Sequence, residues 1–129
     1  MAIRACHHVA ICVRDAQEAR SFWGAALGLE ELERPEAIRH IPGVWYRIGI
    51  SELHVIENPG ATPPSGPLAP HIALATPDLD TVVARLRDAG YAIAFGPARG
   101  PDGVLRAVTT DPTGNTVELT DAALRATEV

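Results

Sequence analysis

Two stretches of this chain are written twice. HVAICV (His8–Val13) returns as HIALAT (His71–Thr76) 63 positions later, and SELHVIE (Ser51–Glu57) returns as NTVELTD (Asn115–Asp121) after 64. Self-similarity at a near-constant offset means one supersecondary unit built twice. The offset also aligns His8 with His71 and His54 with Glu118. Side chains able to hold a metal ion therefore fall at matching points of the duplication.

A length of 129 residues suits one domain made of two small modules. A net charge of −5 gives phosphate backbones nothing to hold, so nucleic acid is excluded as a partner. No apolar run reaches the ~20 residues of a membrane span, and the first residues lack the basic and apolar regions of a secretion signal. Cys6 and Cys12 share one short stretch and cannot frame a disulfide scaffold. A cytoplasmic protein is expected.

Residues 8–13 alternate, with Val9, Ile11 and Val13 on one face and His8, Ala10 and Cys12 on the other. Asp15 with Glu18 predicts a helix start, and Ala19, Phe22, Trp23, Ala26 and Leu27 keep helical spacing as far as Gly28. Strands are predicted at Leu29–Glu33, Trp45–Gly49 and Glu52–Glu57, with a loop over Arg34–Gly43. The first module thus reads β-α-β-β-β over about 6–57. Five prolines and two glycines make 58–70 a linker. The second module, about 71–121, repeats the order. Asp78 or Asp80 caps a helix lined by Val82, Val83, Leu86 and Ala89 and stopped at Gly90. A strand at Tyr91–Phe95, a loop at Gly96–Gly103, a strand near Leu105–Thr110, a DPTG turn (Asp111–Gly114) and a strand at Thr116–Thr120 follow. Residues 122–129 form a tail.

In each key strand the candidate ligand lies opposite the apolar stripe: His54 between Leu53 and Val55, Glu118 between Val117 and Leu119. The expected fold is α+β. Two βαβββ modules in tandem form curled mixed sheets, an open trough with helices on the outer face, and His8, His54, His71 and Glu118 line the trough. Trp45 and Arg47 share a face of their strand and are candidate substrate-binding residues beside His54, as is Cys12 beyond His8. An Arg there can grip a carboxylate or phosphate through paired hydrogen bonds. His7 should point away from His8. His40, Arg34, Arg39 and Arg99 fall in predicted loops.

Paired β-α-β-β-β modules with a His in each first strand and an acid in the last strand of the second resemble the vicinal oxygen chelate superfamily. The elements carrying the likeness are HVAICV, FWGAALGL, ELHVIE, HIALAT, DLDTVVARLRDAG and DPTGNTVEL. Members include glyoxalase I, an epimerase, extradiol dioxygenases, fosfomycin-resistance thiol transferases and bleomycin-binding proteins. The resemblance implies that His8, His71 and Glu118 form a metal triad, and that His54 takes the place of the fourth ligand found in glyoxalases. Two departures stand out. His54 replaces a carboxylate, leaving Glu118 as the catalytic base, and Ala25 replaces the basic residue that glutathione-using glyoxalases tend to carry.

This donor set suits one divalent ion (Ni, Zn, Co, Mn or Fe) able to hold two neighbouring substrate oxygens and to stabilise an enediolate. The expected function is a glyoxalase-I-like lyase or isomerase acting by proton transfer alpha to a carbonyl of a small-molecule substrate, in a homodimer. The competing expectations are an Fe(II) extradiol-type dioxygenase, a thiol transferase of antibiotic-resistance type, and a metal-free drug-binding protein.

Overall fold

Both halves of the sequence fold by the same route, and the register of their strands shows it directly. The computed structural model describes residues 2–125, so the last four residues of the expected tail lie outside the described residues. One unit closes at Ala61 and the next opens at Thr62, inside the Pro/Gly-rich segment.

In the first unit β1 (His8–Val13) leads through a helix to β2 (Glu31–Leu32), β3 (Gly43–Ile48) and β4 (Ser51–Glu57). The sheet order is β1-β4-β3-β2, with β1 parallel to β4 and the other pairs antiparallel. Asp15 caps α1 (Ala16–Ala19), accepting hydrogen bonds from the backbone N–H groups of Gln17 (2.7 Å) and Glu18 (3.3 Å). The helix predicted as far as Gly28 is α-helical only in this first turn. Residues Arg20–Ala26 widen into a π-helix, with the N–H of Leu27 on the carbonyl of Phe22 at 2.9 Å. Apolar spacing could not reveal this, because Ala19, Phe22, Trp23 and Ala26 are buried in either geometry. Gly24 lies in the wide stretch, where an added Cβ would come within 3.1 Å of the Tyr46 hydroxyl. Gly28 ends the segment at φ 78°, a left-handed conformation that costs glycine nothing.

The helical face, with Phe22 and Trp23 in edge-to-face contact at 5.2 Å, covers a sheet face of Val13, Val44, Tyr46, Leu53 and Val55, all at most 1% exposed. Each such large apolar side chain contributes about 1.5–3 kcal/mol on burial. The opposite face carries His8, Ala10, Cys12, Trp45, Arg47, Glu52 and His54, as strand alternation requires. Strand β2 is shorter than the predicted Leu29–Glu33, because only Glu31 and Leu32 find ladder partners, Tyr46 and Trp45. Within the predicted loop, Glu36–Ile38 makes a 3₁₀ turn. Strand β3 starts early, at Gly43, where an added Cβ would collide with the Val55 carbonyl.

The second unit runs β5 (His71–Ala75), α2 (Leu79–Asp88), β6 (Ile93–Arg99), β7 (Leu105–Thr110) and β8 (Thr116–Thr120), in the order β5-β8-β7-β6. Asp78, rather than Asp80, is the cap: its side chain accepts from the Thr81 N–H at 3.4 Å. Leu79, Val83 and Leu86 are buried, while Ala89, expected on the apolar face, is exposed. The predicted loop Gly96–Gly103 is a correction, since β6 continues through Arg99. Proline is tolerated there because β6 is an edge strand, and two irregularities of register absorb Gly96 and Pro97. Gly96 adopts φ 78°, and a Cβ on it would strike the Arg106 carbonyl.

The DPTG turn closes on a hydrogen bond from the Gly114 N–H to the Asp111 carbonyl (2.9 Å). The buried Asp111 carboxylate organises it from inside. The outcome is α+β, two mixed four-stranded sheets, each with helix against one face. In parallel pairs β1–β4 and β5–β8, Ala10 faces His54 and Ala73 faces Glu118. The duplication is therefore kept at the level of backbone register.

Candidate functional site

In the first unit His8 and His54 come together, with their rings stacked at 4.1 Å between centroids and 12° between planes. Trp45, the cross-strand neighbour of His54, lies on it in parallel at 3.6 Å and 1°. Trp45 thus shares the His54 face. His54 is 8% exposed, and its Nε2 donates to Oε1 of Glu52 at 2.9 Å. A carboxylate only accepts, so Nε2 carries the proton. Glu52 was not singled out in the sequence, although it stands two residues before His54 on the same face. Its carboxyl is held below the usual range, chiefly by this hydrogen bond.

His7 corrects an expectation. It precedes β1, so strand alternation does not govern it, and its Nδ1 lies 2.9 Å from Nδ1 of His8 with the rings edge to face. That contact leaves Nε2 of the exposed His8 for another partner. Cys12, beyond His8 on the same face, is exposed. Arg47 is tied through Nε to Glu30 at 3.2 Å. With Trp45, Glu52, Arg34 and Arg39 it lines a cavity of about 480 Å³. Two of the unranked loop arginines thus border the His54 face. Arg99, the third, belongs to β6 and approaches Asp121 at 3.6 Å, and His40 is exposed in its loop.

The second unit brings His71 and Glu118 together, with Nε2 to Oε2 at 3.2 Å. Nδ1 of His71 donates to the Ala69 carbonyl at 3.0 Å, which pins the ring and leaves Nε2 as the reactive nitrogen. Nε of Arg106 forms an ion pair with the other oxygen of Glu118 at 3.3 Å. Arg106 is itself clamped by Asp102 through two bonds of 3.1 and 2.8 Å. That clamp holds the Asp102 carboxyl at about 2 and raises the Arg106 guanidinium above its usual value. Arg106 escaped sequence reading because nothing in the strand pattern ties it to Glu118; the contact is diagonal, across β7 and β8. His71 and Glu118 border a cavity of about 510 Å³ that also includes Phe95, Val108, Thr110 and Thr116.

Whether these donors suit a metal can be judged within each half. A ligating His normally donates its second ring N–H to a carbonyl or carboxylate, and His71 does so. With Nδ1 donating to the Ala69 carbonyl, His71 sets Nε2 3.2 Å from the Glu118 carboxylate, a nitrogen and an oxygen donor within reach of one cation. His71 and Glu118 therefore fit. His8 and His54 fit less well as a pair. An imidazole lone pair lies in the ring plane, and two nearly parallel stacked planes do not meet at one nearby point. Among the described residues, no three His, Cys, Asp or Glu side chains gather so as to hold an ion within either half.

The family model of the glyoxalase/bleomycin resistance protein/dioxygenase superfamily matches residues 5–119. The chain belongs to that superfamily. Solved structures of other members overlie it closely. A glyoxalase family protein from Bacillus anthracis is 29% identical, with a TM-score of 0.78 over 92% of this chain and 94% of that one. A glyoxalase/dioxygenase from Nostoc punctiforme is 27% identical, with a TM-score of 0.75 over 91% and 90%. Lactoylglutathione lyase from Agrobacterium tumefaciens, at 20% identity and a TM-score of 0.67 over 90% and 92%, shares the fold. No curated protein matches the chain. Among the described residues of this superfamily member, no helix is long and apolar enough to cross a membrane.

Proposed function

We propose that this superfamily member is a metal-dependent lyase or isomerase of glyoxalase I type, acting on a small substrate by proton transfer alpha to a carbonyl. The observation that carries the proposal is the shared register. It puts a His on the first strand of each unit, and a His or Glu on the last strand opposite the equivalent alanine of the first. His8, His71 and Glu118 would hold the ion, with His54 the fourth position marked by the sequence. When bound, a divalent ion would hold two neighbouring substrate oxygens and stabilise negative charge developing on them.

The chain's own part is proton movement and orientation. Glu118, within reach of both His71 and Arg106, is the group to accept the proton next to the carbonyl. The Arg106 guanidinium faces one carboxylate oxygen and His71 faces the other. Ala73, opposite Glu118, and Ala10, opposite His54, leave room for a ligand. Trp45 and Arg47 would wall the substrate, with Cys12 beyond. A homodimer in a cytoplasmic setting belongs to the same proposal.

Elemental analysis of gently purified protein should find about one divalent ion per chain. Incubation of methylglyoxal with glutathione, bacillithiol or mycothiol should yield a thioester. His71→Ala, which removes a proposed ligand, and Glu118→Gln, which removes the proposed base, should each lower turnover by at least ~100-fold. Turnover untouched by either change refutes the assignment. Oxygen uptake with a catechol and Fe(II) would instead favour the dioxygenase branch.

A further inference from the structure

We infer that His54 is a positioning residue, locked against Trp45 and Glu52 and supporting the ring of His8, and not a donor to the same ion as His8. The inference rests on the metal reading proposed above and deepens it. Three features of the first unit converge. Nε2 of His54 is spent on Glu52 at 2.9 Å, one face of the ring is covered by Trp45 at 3.6 Å, and the ring packs near-parallel with His8 at 4.1 Å. His54 is 8% exposed, whereas His8 and His71 are exposed.

A second regularity separates the histidines. His8 and His71 each engage Nδ1 with the segment just before their strand, His8 with His7 and His71 with the Ala69 carbonyl. Both are thereby left with Nε2, the nitrogen farther from the backbone. His54 has the opposite arrangement, with Nε2 tied and flat faces in contact. The fourth-ligand position of this chain has become part of a stack. An ion that does not take His54 keeps one more position for substrate oxygens and water.

The test compares two variants by zinc competition against a chelator. His54→Phe keeps a flat ring against Trp45 and His8 and lacks both nitrogens; His54→Ala removes the ring. Zinc affinity within about 3-fold of wild type for His54→Phe, with a loss of ~10-fold or more for His54→Ala, supports a supporting role, since groups acting through a ligand typically change affinity ~10–100-fold. Loss of zinc in His54→Phe as severe as in His8→Ala overturns it. Imidazole ¹⁵N spectra provide a readout that a purely structural role would not move. Without metal, His54 should show the Nε2–H form; with zinc, His8 and His71 should shift and His54 should not. A His54 that shifts with them, or that is protonated on Nδ1 in the metal-free chain, refutes the inference whatever the affinities. A chain in which neither His8 nor His71 responds to zinc refutes the metal reading instead.

Discussion

Replacing Asp111 with alanine should weaken the second unit out of proportion to the few atoms removed. Asp111 is 3% exposed. Its Oδ1 accepts from the backbone N–H groups of Thr113 (3.1 Å), Gly114 (2.9 Å) and Asn115 (2.8 Å), and its Oδ2 from the Asn115 side-chain amide (3.0 Å). Alanine leaves all four donors without that acceptor. A buried donor stripped of its partner costs about 1–3 kcal/mol, and water reaching the partly exposed Gly114 and Asn115 offsets part of it, so about 3 kcal/mol in total is expected. For a domain of this size about 1 kcal/mol corresponds to roughly 3–5 °C, so the melting temperature should fall by about 10–15 °C. Differential scanning calorimetry gives the shift, and amide exchange should show lost protection at Gly114 and Asn115. Asp111→Asn keeps one acceptor oxygen and should lose less than alanine does. A fall of less than about 3 °C for alanine, with exchange unchanged, would refute the view that this carboxylate organises the turn.

Tyr46→Phe should be neutral or stabilising by up to about 1 kcal/mol in urea unfolding, because the hydroxyl is buried with no hydrogen-bond partner among the described residues. Burial, with help from Glu31, pushes the Tyr46 phenol up to about 12, above its usual 10. Stability tied to the neutral phenol is full below pH 10 and lost as pH rises toward 12, and Tyr46→Phe should not show that loss. Asp102 has the opposite sign. Its folded value of about 2 lies below the unfolded 3.8, so the contribution is present above about pH 4 and lost as pH falls toward 2. Asp102→Asn should flatten that acid limb in pH-dependent melting, modestly, since the carboxyl is exposed. Gly96→Ala should lower the melting temperature, because φ 78° and the Arg106 carbonyl both oppose a side chain there.

The strands carrying the candidate site were legible because period-two alternation and a fixed offset are backbone properties. His8, His54, His71 and Glu118 each stand on the face opposite an apolar stripe, and the offset paired them before any contact was known. What sequence could not give is set by which side chains meet. Glu52 acquires meaning only through its bond to His54, and Arg106 only through its reach to Glu118. The π-helical stretch was hidden because one more residue per turn leaves Phe22 and Trp23 still facing inward. The far part of β6, from Gly96 to Arg99, reads as a loop in sequence because Gly and Pro usually break ladders; at an edge, with one side unpaired, they do not. His7 lies one residue before the strand, where alternation no longer dictates which way a side chain points.

Matching alanine partners in β1–β4 and β5–β8 separate scaffold from chemistry. The backbone works as a rack with equivalent slots, and the two halves have filled theirs differently: imidazole over indole in one, imidazole beside a guanidinium-clamped carboxylate in the other. Exchanging the contents of a slot should therefore retune reactivity without redrawing the rack. His54→Glu, which would give the first half a carboxylate where the second already has one, is the most direct way to ask this chain for different chemistry.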